Sequence, residues 1–167
     1  LEATAMLGGI QIDTKNFTLR TGSHTFDAAS YLRANGADSN LIQSFMKENL
    51  TDFKSRTHLI NLAVVDSGNA IVTGESNQTY SGLITAQAAD ELLQISSVEA
   101  SYVVTKRADG RVGISARSTG QRNVQRIMEA MGGGGHLSNA ATQISGETPE
   151  AVTKQLKEVL QAAIEAQ

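Results

Sequence analysis

Apolar positions along the first sixty residues recur at helical spacing. Met6, Leu7 and Ile10 mark one face of an N-terminal helix. Three places further on, that face reaches Asp13. Two readings follow. Either the helix ends and Asp13 faces water, or the carboxylate points inward and needs a metal or a cation, because a buried unpaired carboxylate is too costly. A second helix, capped by Ser23 or Thr25, runs to about Ala34 and stops at Asn35-Gly36. A third follows Asp38 or Ser39, with Leu41, Ile42, Phe45, Met46 and Leu50 as its stripe. Charged TDFKSRTHLIN continues or restarts helix to about Asn61.

The period then changes to strands. LAVVD and AIVTGE flank Ser67-Gly68-Asn69 and read as a hairpin. Ile84, Ala88, Leu92 and Leu93 give a helix over 84–95. SYVVTKR and RVGISARS flank Ala108-Asp109-Gly110, a strong hairpin signal. Val124, Ile127, Met128 and Met131 mark another helix, a fifth strand is expected at about 140–145, and Thr148-Pro149 opens the last helix. From residue 61 the order is β-β-α-β-β-α-β-α. The expected fold class is therefore α/β (α+β): a mixed five-stranded sheet flanked by helices, preceded by a mainly helical segment.

Composition narrows the functions. The 167 residues are 40% hydrophobic and only 4% aromatic, with no Trp. No stretch approaches the roughly 20 apolar residues of a membrane span, and the first residues lack a signal-peptide pattern. Cysteine is absent, which removes disulfides, thiolate metal sites and a cysteine nucleophile and fits the cytosol. The sequons at Asn16, Asn49 and Asn77 are read as chance matches. A net charge of −3 argues against long nucleic acid as the main partner.

The chemistry concentrates late in the chain. Alternation along VGISAR puts Val112, Ile114 and Ala116 on one face and Gly113, Ser115 and Arg117 on the other. That second face reads either as an anion platform, with Arg117 forking onto a phosphate and Ser115 donating, or as a solvated strand face. Gly132, Gly133, Gly134 and Gly135 run directly into His136. Four glycines serve either a flexible turn or the approach of a ligand to bare backbone N–H groups. No Gly-Lys-Ser/Thr follows, so the run is not a Walker loop. It follows a helix instead of joining a strand to one, so it is not a dinucleotide fingerprint either.

These residues resemble a known family. GGGGH with SNAATQI, and ISARS upstream, resemble the signature and substrate-facing strand of DHHA1 domains. GIQIDTKNFTLRTGSHTFDAASYLRANGAD resembles the end of a DHH phosphoesterase domain. Together they look most like the C-terminal part of the GdpP-type cyclic-di-AMP phosphodiesterases of Gram-positive bacteria. The resemblance implies two Mn²⁺ ions in the full-length protein and metal-assisted hydrolysis of cyclic-di-AMP to a linear dinucleotide. It makes Asp13 a metal ligand, and Ser115, Arg117, Gly132–Gly135 and His136 the substrate-holding residues.

The chain lacks an Asp-His-His motif, and its histidines are only His24, His58 and His136. The expectation is a truncated piece: DHH tail over 1–36, helical linker over 37–60, DHHA1 domain over 61–167. It would be inactive alone and bind no metal tightly. It would form the cytoplasmic catalytic region of a membrane-anchored protein, with no membrane contact of its own and room for a homodimer. The alternatives are a phosphodiesterase of the same superfamily acting on short RNA or single-stranded DNA, and a non-enzymatic nucleic-acid-binding DHHA1 module.

Overall fold

The computed structural model describes residues 1–18 and 20–165, in two compact units, Leu1–Asn49 and Leu50–Gln167. The stretch expected as a linker is divided between them.

The first unit holds α1 (Glu2–Asp13), α2 (Ser23–Ala34) and α3 (Ser39–Phe45). Leu7, Ala29, Leu32, Ala37 and Ile42 form its core. The Asp38 carboxylate caps α3 by accepting from the Asn40 and Leu41 amides, and Gly36 ends α2 with φ +87°. Two expectations fail here. Met6 is exposed, because α1 buries the Thr4–Leu7–Gly8 side, where Gly8 faces Ile42. On α3 only Ile42 is buried, and Phe45 and Met46 are exposed. Helical spacing marks a face without saying that a neighbour covers it.

In the second unit a sheet lies between two helical layers. α4 (Leu50–Asn61) and α5 (Gly82–Leu92) pack on one side; α6 (Val124–Ala130) and α7 (Pro149–Glu165) pack on the other. The strands are β1 (Val64–Asp66), β2 (Asn69–Thr73), β3 (Ala100–Lys106), β4 (Val112–Ser118), β5 (Gly134–His136) and β6 (Asn139–Ile144), in spatial order β1-β2-β3-β4-β6-β5. Only β2 and β3 run parallel, joined through α5. The sheet thus has six strands where five were expected. The extra one, β5, comes from the glycine run, which has no side chains to reveal a strand period.

Alternation sorts the central strands as the sequence predicts. Val112, Ile114 and Ala116 join Tyr102, Val104, Val124, Met128, Val152 and Leu156 in one core. Ala70, Val72 and Val103 face Ile84, Ala88 and Leu92 in the other. Burial pushes the Tyr102 phenol up to about 12. Thr148 Oγ1 accepts the Ala151 amide, and Pro149 opens α7.

A polar knot ties α4 to the end of β2. His58 Nε2 lies 2.9 and 3.0 Å from the two Glu75 carboxylate oxygens, and the Tyr80 hydroxyl lies 3.1 Å from Glu75 Oε2. The His58 hydrogen bond, against the opposing effect of burial, holds the Glu75 carboxyl below its usual range. A depressed carboxyl contributes stability above the ordinary carboxylate range, and loses it as pH falls through the lowered value. His58→Ala is expected to move the Glu75 midpoint upward, toward the ordinary value, in a carbon-detected carboxyl titration. An unmoved midpoint would show that His58 does not hold the carboxylate.

Candidate functional site

The glycine run performs four separate tasks. Gly132, with φ +80°, stops α6: its amide donates to Glu129 O at 3.0 Å, and the Gly133 amide donates to Met128 O at 2.8 Å. This is the paired Schellman pattern. Those two N–H groups are therefore committed to the helix end. At Gly133 a side chain would overlap Ala141 O and come within 2.5 Å of Thr142 Cβ, so the bare Cα lets β5 lie down on β6. Gly134 pairs with Ala141 and has open space where a side chain would be. Gly135, with φ +150°, sits against the backbone of Asn139 and Ala140.

The β5–β6 hairpin has a two-residue tip, Leu137-Ser138, pinned from both sides. Val124 N donates to Leu137 O and Ser118 N to Ser138 O, each at 3.0 Å. His136 is consequently placed by a fixed edge strand and not by a loose loop.

Strand register then assembles the candidate residues. Arg117 pairs with Asn139, and Asn139 with His136, so the three lie in one row across β4, β6 and β5. Ser115, Ala141 and Gly134 form the next row. Directly paired residues share a face of the sheet, and strands sit about 4.8 Å apart, so each row spans about 10 Å. α5 packs against β3 and β4 on this face, with the Ser101 hydroxyl donating to Ala89 O. Asn139, Ala141, Gln143 and His136 are exposed. The face is thus half roofed and half open.

The roof sets the surroundings of two of the expected residues. Ser115 is buried among helix and strand, at 5% exposure. Arg117, whose side chain keeps 14% exposure, stands at the roof's edge, with Nε 3.3 Å from Asp90 Oδ1 of α5 and Nη1 donating to Ala116 O. His136 stands in the open. Asn139 and Gln143, which sequence reasoning missed, belong to the same face; their alternation in NAATQI becomes informative once β6 is known to border β4.

The open face continues past Gln143 into a pocket of about 530 Å³, where Arg107, Ser81 and Gly82 join the lining. Asp13 lies in the first unit, at the end of α1, with its side chain 68% exposed. Arg20 Nη2 lies 3.0 Å from its Oδ1 and 2.8 Å from its backbone O. Lys15, Asn16 and Phe17, just beyond, all have positive φ. Among the described residues no group of three or more His, Asp or Glu could hold a metal ion. Asp13, with Arg20 as its partner, does not by itself make a metal site.

Residues 67–166 match the family described as the DHHA1 domain. The chain is 55% identical, over 163 residues and 97% of its length, to the cyclic-di-AMP phosphodiesterase PdeA of Listeria monocytogenes. It is 51% identical over 163 residues and 96% of its length to the cyclic-di-AMP phosphodiesterase GdpP of Bacillus subtilis. It spans 25% of the length of each. Among solved structures, an exopolyphosphatase-related protein of Bacteroides fragilis shares the fold, with a TM-score of 0.77 and 18% identity over 94% of this chain and 47% of its own.

Proposed function

We propose, from the premise that this chain belongs to the DHHA1 domain family, that it is the substrate-holding part of a phosphodiesterase acting on cyclic-di-AMP. The observation that carries this reading is the row Arg117–Asn139–His136, which runs from the roof's edge onto the open half of the sheet face. A guanidinium, a carboxamide and an imidazole within about 10 Å suit a ligand with both phosphate oxygens and base edges. Arg117 keeps its charge at any cellular pH and can fork onto two phosphate oxygens. Asn139 offers a donor and an acceptor to a base. His136, fixed by the pinned hairpin, donates to a phosphate oxygen or stacks on a base.

The surrounding fold serves this role. The Asp90 carboxylate, 3.3 Å from Arg117 Nε at the roof's edge, is the partner that an entering phosphate would displace. The catalytic metals, Mn²⁺ by the resemblance, belong to a phosphoesterase part that the relatives' further length accommodates. The domain division at about residues 36 and 60, the metal role of Asp13, a homodimer, and a cytoplasmic site on a membrane-anchored protein belong to the same proposal. Among the described residues no helix is long and apolar enough to cross a membrane.

The test is calorimetric titration of the chain with cyclic-di-AMP and with its linear product, beside a hydrolysis assay in Mn²⁺. Saturable binding without turnover is expected. Absence of binding to either dinucleotide would overturn the assignment, and turnover above a metal-only blank would overturn the division of labour.

A further inference from the structure

The far end of the open face carries a cation that the Arg117–His136 row does not use. The Arg107 guanidinium rests on two glycines. A side chain at Gly82 would come within 2.8 Å of its Nη1, and one at Gly113 within 2.7 Å of its Nη2. Its Nε is buried and has no hydrogen-bond partner. Burial lowers the Arg107 pKa, opposed by the charge of Asp109. Asp109 itself is engaged by Arg111, which grips Oδ2 through Nε at 2.9 Å and Nη2 at 2.6 Å. Arg107 is left as a cation held in place by packing, beside a pocket of about 530 Å³.

Of the other lining groups, Asp109 brings a carboxylate, which its pairing with Arg111 neutralises, and the rest offer hydroxyls, amides and a carboxamide. Gly82 opens α5; the Ser81 hydroxyl caps the Ile84 amide, and the Gly82 and Leu83 amides have no partner within the helix. Gln143 brings a carboxamide from β6. It lies on the same exposed side of β6 as Asn139, four residues or about 13 Å further along. One phosphate cannot bridge that distance, so the two ends of the face read different groups of one ligand.

We propose that the Arg107 pocket is a second anion subsite, which takes a phosphate group of the bound nucleotide, with Arg107 supplying the charge and Gln143 a hydrogen bond. The inference rests on the reading of this face as nucleotide-holding. It assigns the pocket to the terminal phosphate that a linear dinucleotide carries and a cyclic one does not.

The experiment uses the isotope-labelled 167-residue chain and three probes: inorganic phosphate, a linear adenine dinucleotide with a 5′-phosphate, and the same dinucleotide without it. Phosphate and the phosphorylated dinucleotide are expected to shift the Ser81 and Gly82 amides and the Gln143 carboxamide. The phosphorylated dinucleotide is expected to bind at least tenfold tighter than its unphosphorylated counterpart. Arg107→Gln should erase that advantage, and Lys157→Gln, on the exposed side of α7 across the sheet, should keep it. If Arg107→Gln fails to fold, Gln143→Ala carries the test, with a severalfold loss of the advantage expected. Equal affinity for the two dinucleotides, with shifts confined to His136 and Asn139, would overturn the subsite and leave the proposed function standing. Shifts at Gly82 with none at His136 would keep the subsite and overturn the function. No shift at either end would overturn both.

Discussion

Alanine at Gly135 lowers the melting temperature by about 10 °C or more, while alanine one residue earlier, at Gly134, leaves it nearly unchanged. Both are glycines of the same strand, and the contrast follows from their surroundings. Gly135 holds φ +150°, where an L side chain is strained by about 1–3 kcal/mol. The added methyl would also overlap Ala140 Cα and Asn139 O and come within 2.7 Å of Ala140 Cβ. Overpacking against backbone costs about 1–3 kcal/mol more, because backbone cannot rotate away as a flexible side chain can. At about 2–4 °C per kcal/mol for a chain of this length, the summed ~2–6 kcal/mol gives a drop centred on about 12 °C. Gly133→Ala shares the overlap, against Ala141 O and Thr142, and is expected to fall between. Gly134 has ordinary φ and open space, so alanine there costs little, and relief of unfolded-chain entropy adds about 0.4–1 kcal/mol of stability. Calorimetric melts of the three variants decide the matter. If all three melt alike, β5 is not packed on β6 as described, and the placement of His136 falls with it.

His136→Ala and Arg117→Ala weaken binding of cyclic-di-AMP by about 10- to 150-fold each. A hydrogen bond to a charged group is worth roughly 1.5–3 kcal/mol, and each ~1.4 kcal/mol is a factor of ten. The variants differ in their effect on the fold. His136 is exposed, so its loss leaves the melt unchanged. Arg117 is mostly buried at the edge of α5 beside Asp90, so its loss also removes packing and destabilises by about 1–2 kcal/mol. Asp90→Asn separates the two contributions. It removes the carboxylate that competes with phosphate for Arg117 and is expected to tighten binding severalfold. Titration and melting are measured side by side on each variant. Unchanged affinity in His136→Ala, or an Arg117→Ala loss that tracks a collapsed melt, would make these residues structural. Weaker binding in Asp90→Asn would mean that the carboxylate positions Arg117 more than it competes.

Much of this architecture was legible in the sequence. Alternation in VGISAR separated Ile114 from Ser115 correctly, because a strand's two faces follow from a period of two, whatever the partner. Asp109-Gly110 marked its hairpin, and Thr148-Pro149 its helix start, because φ preference and hydrogen-bonding capacity are local properties. The glycine run was legible as special but not as a strand. Glycine has no side chain to alternate, so only pairing with β6 defines β5.

What covers a face was not legible. The period along VGISAR does not say that α5 roofs Ser115 and stops short of Asn139, nor does the stripe of α3 say that Phe45 stays exposed. The site itself belongs to the same class of fact. Arg117, Asn139 and His136 are separated by up to twenty-two positions and become neighbours only when β6 inserts between β4 and β5. Arg107 reaches the same face only because Gly82 and Gly113, thirty-one positions apart, leave a bed for its guanidinium. Sequence determined the elements, through local dihedral and periodic preferences. Tertiary structure alone decided the roof, the open strip and the half-buried cation, because each depends on which chain-distant surfaces meet.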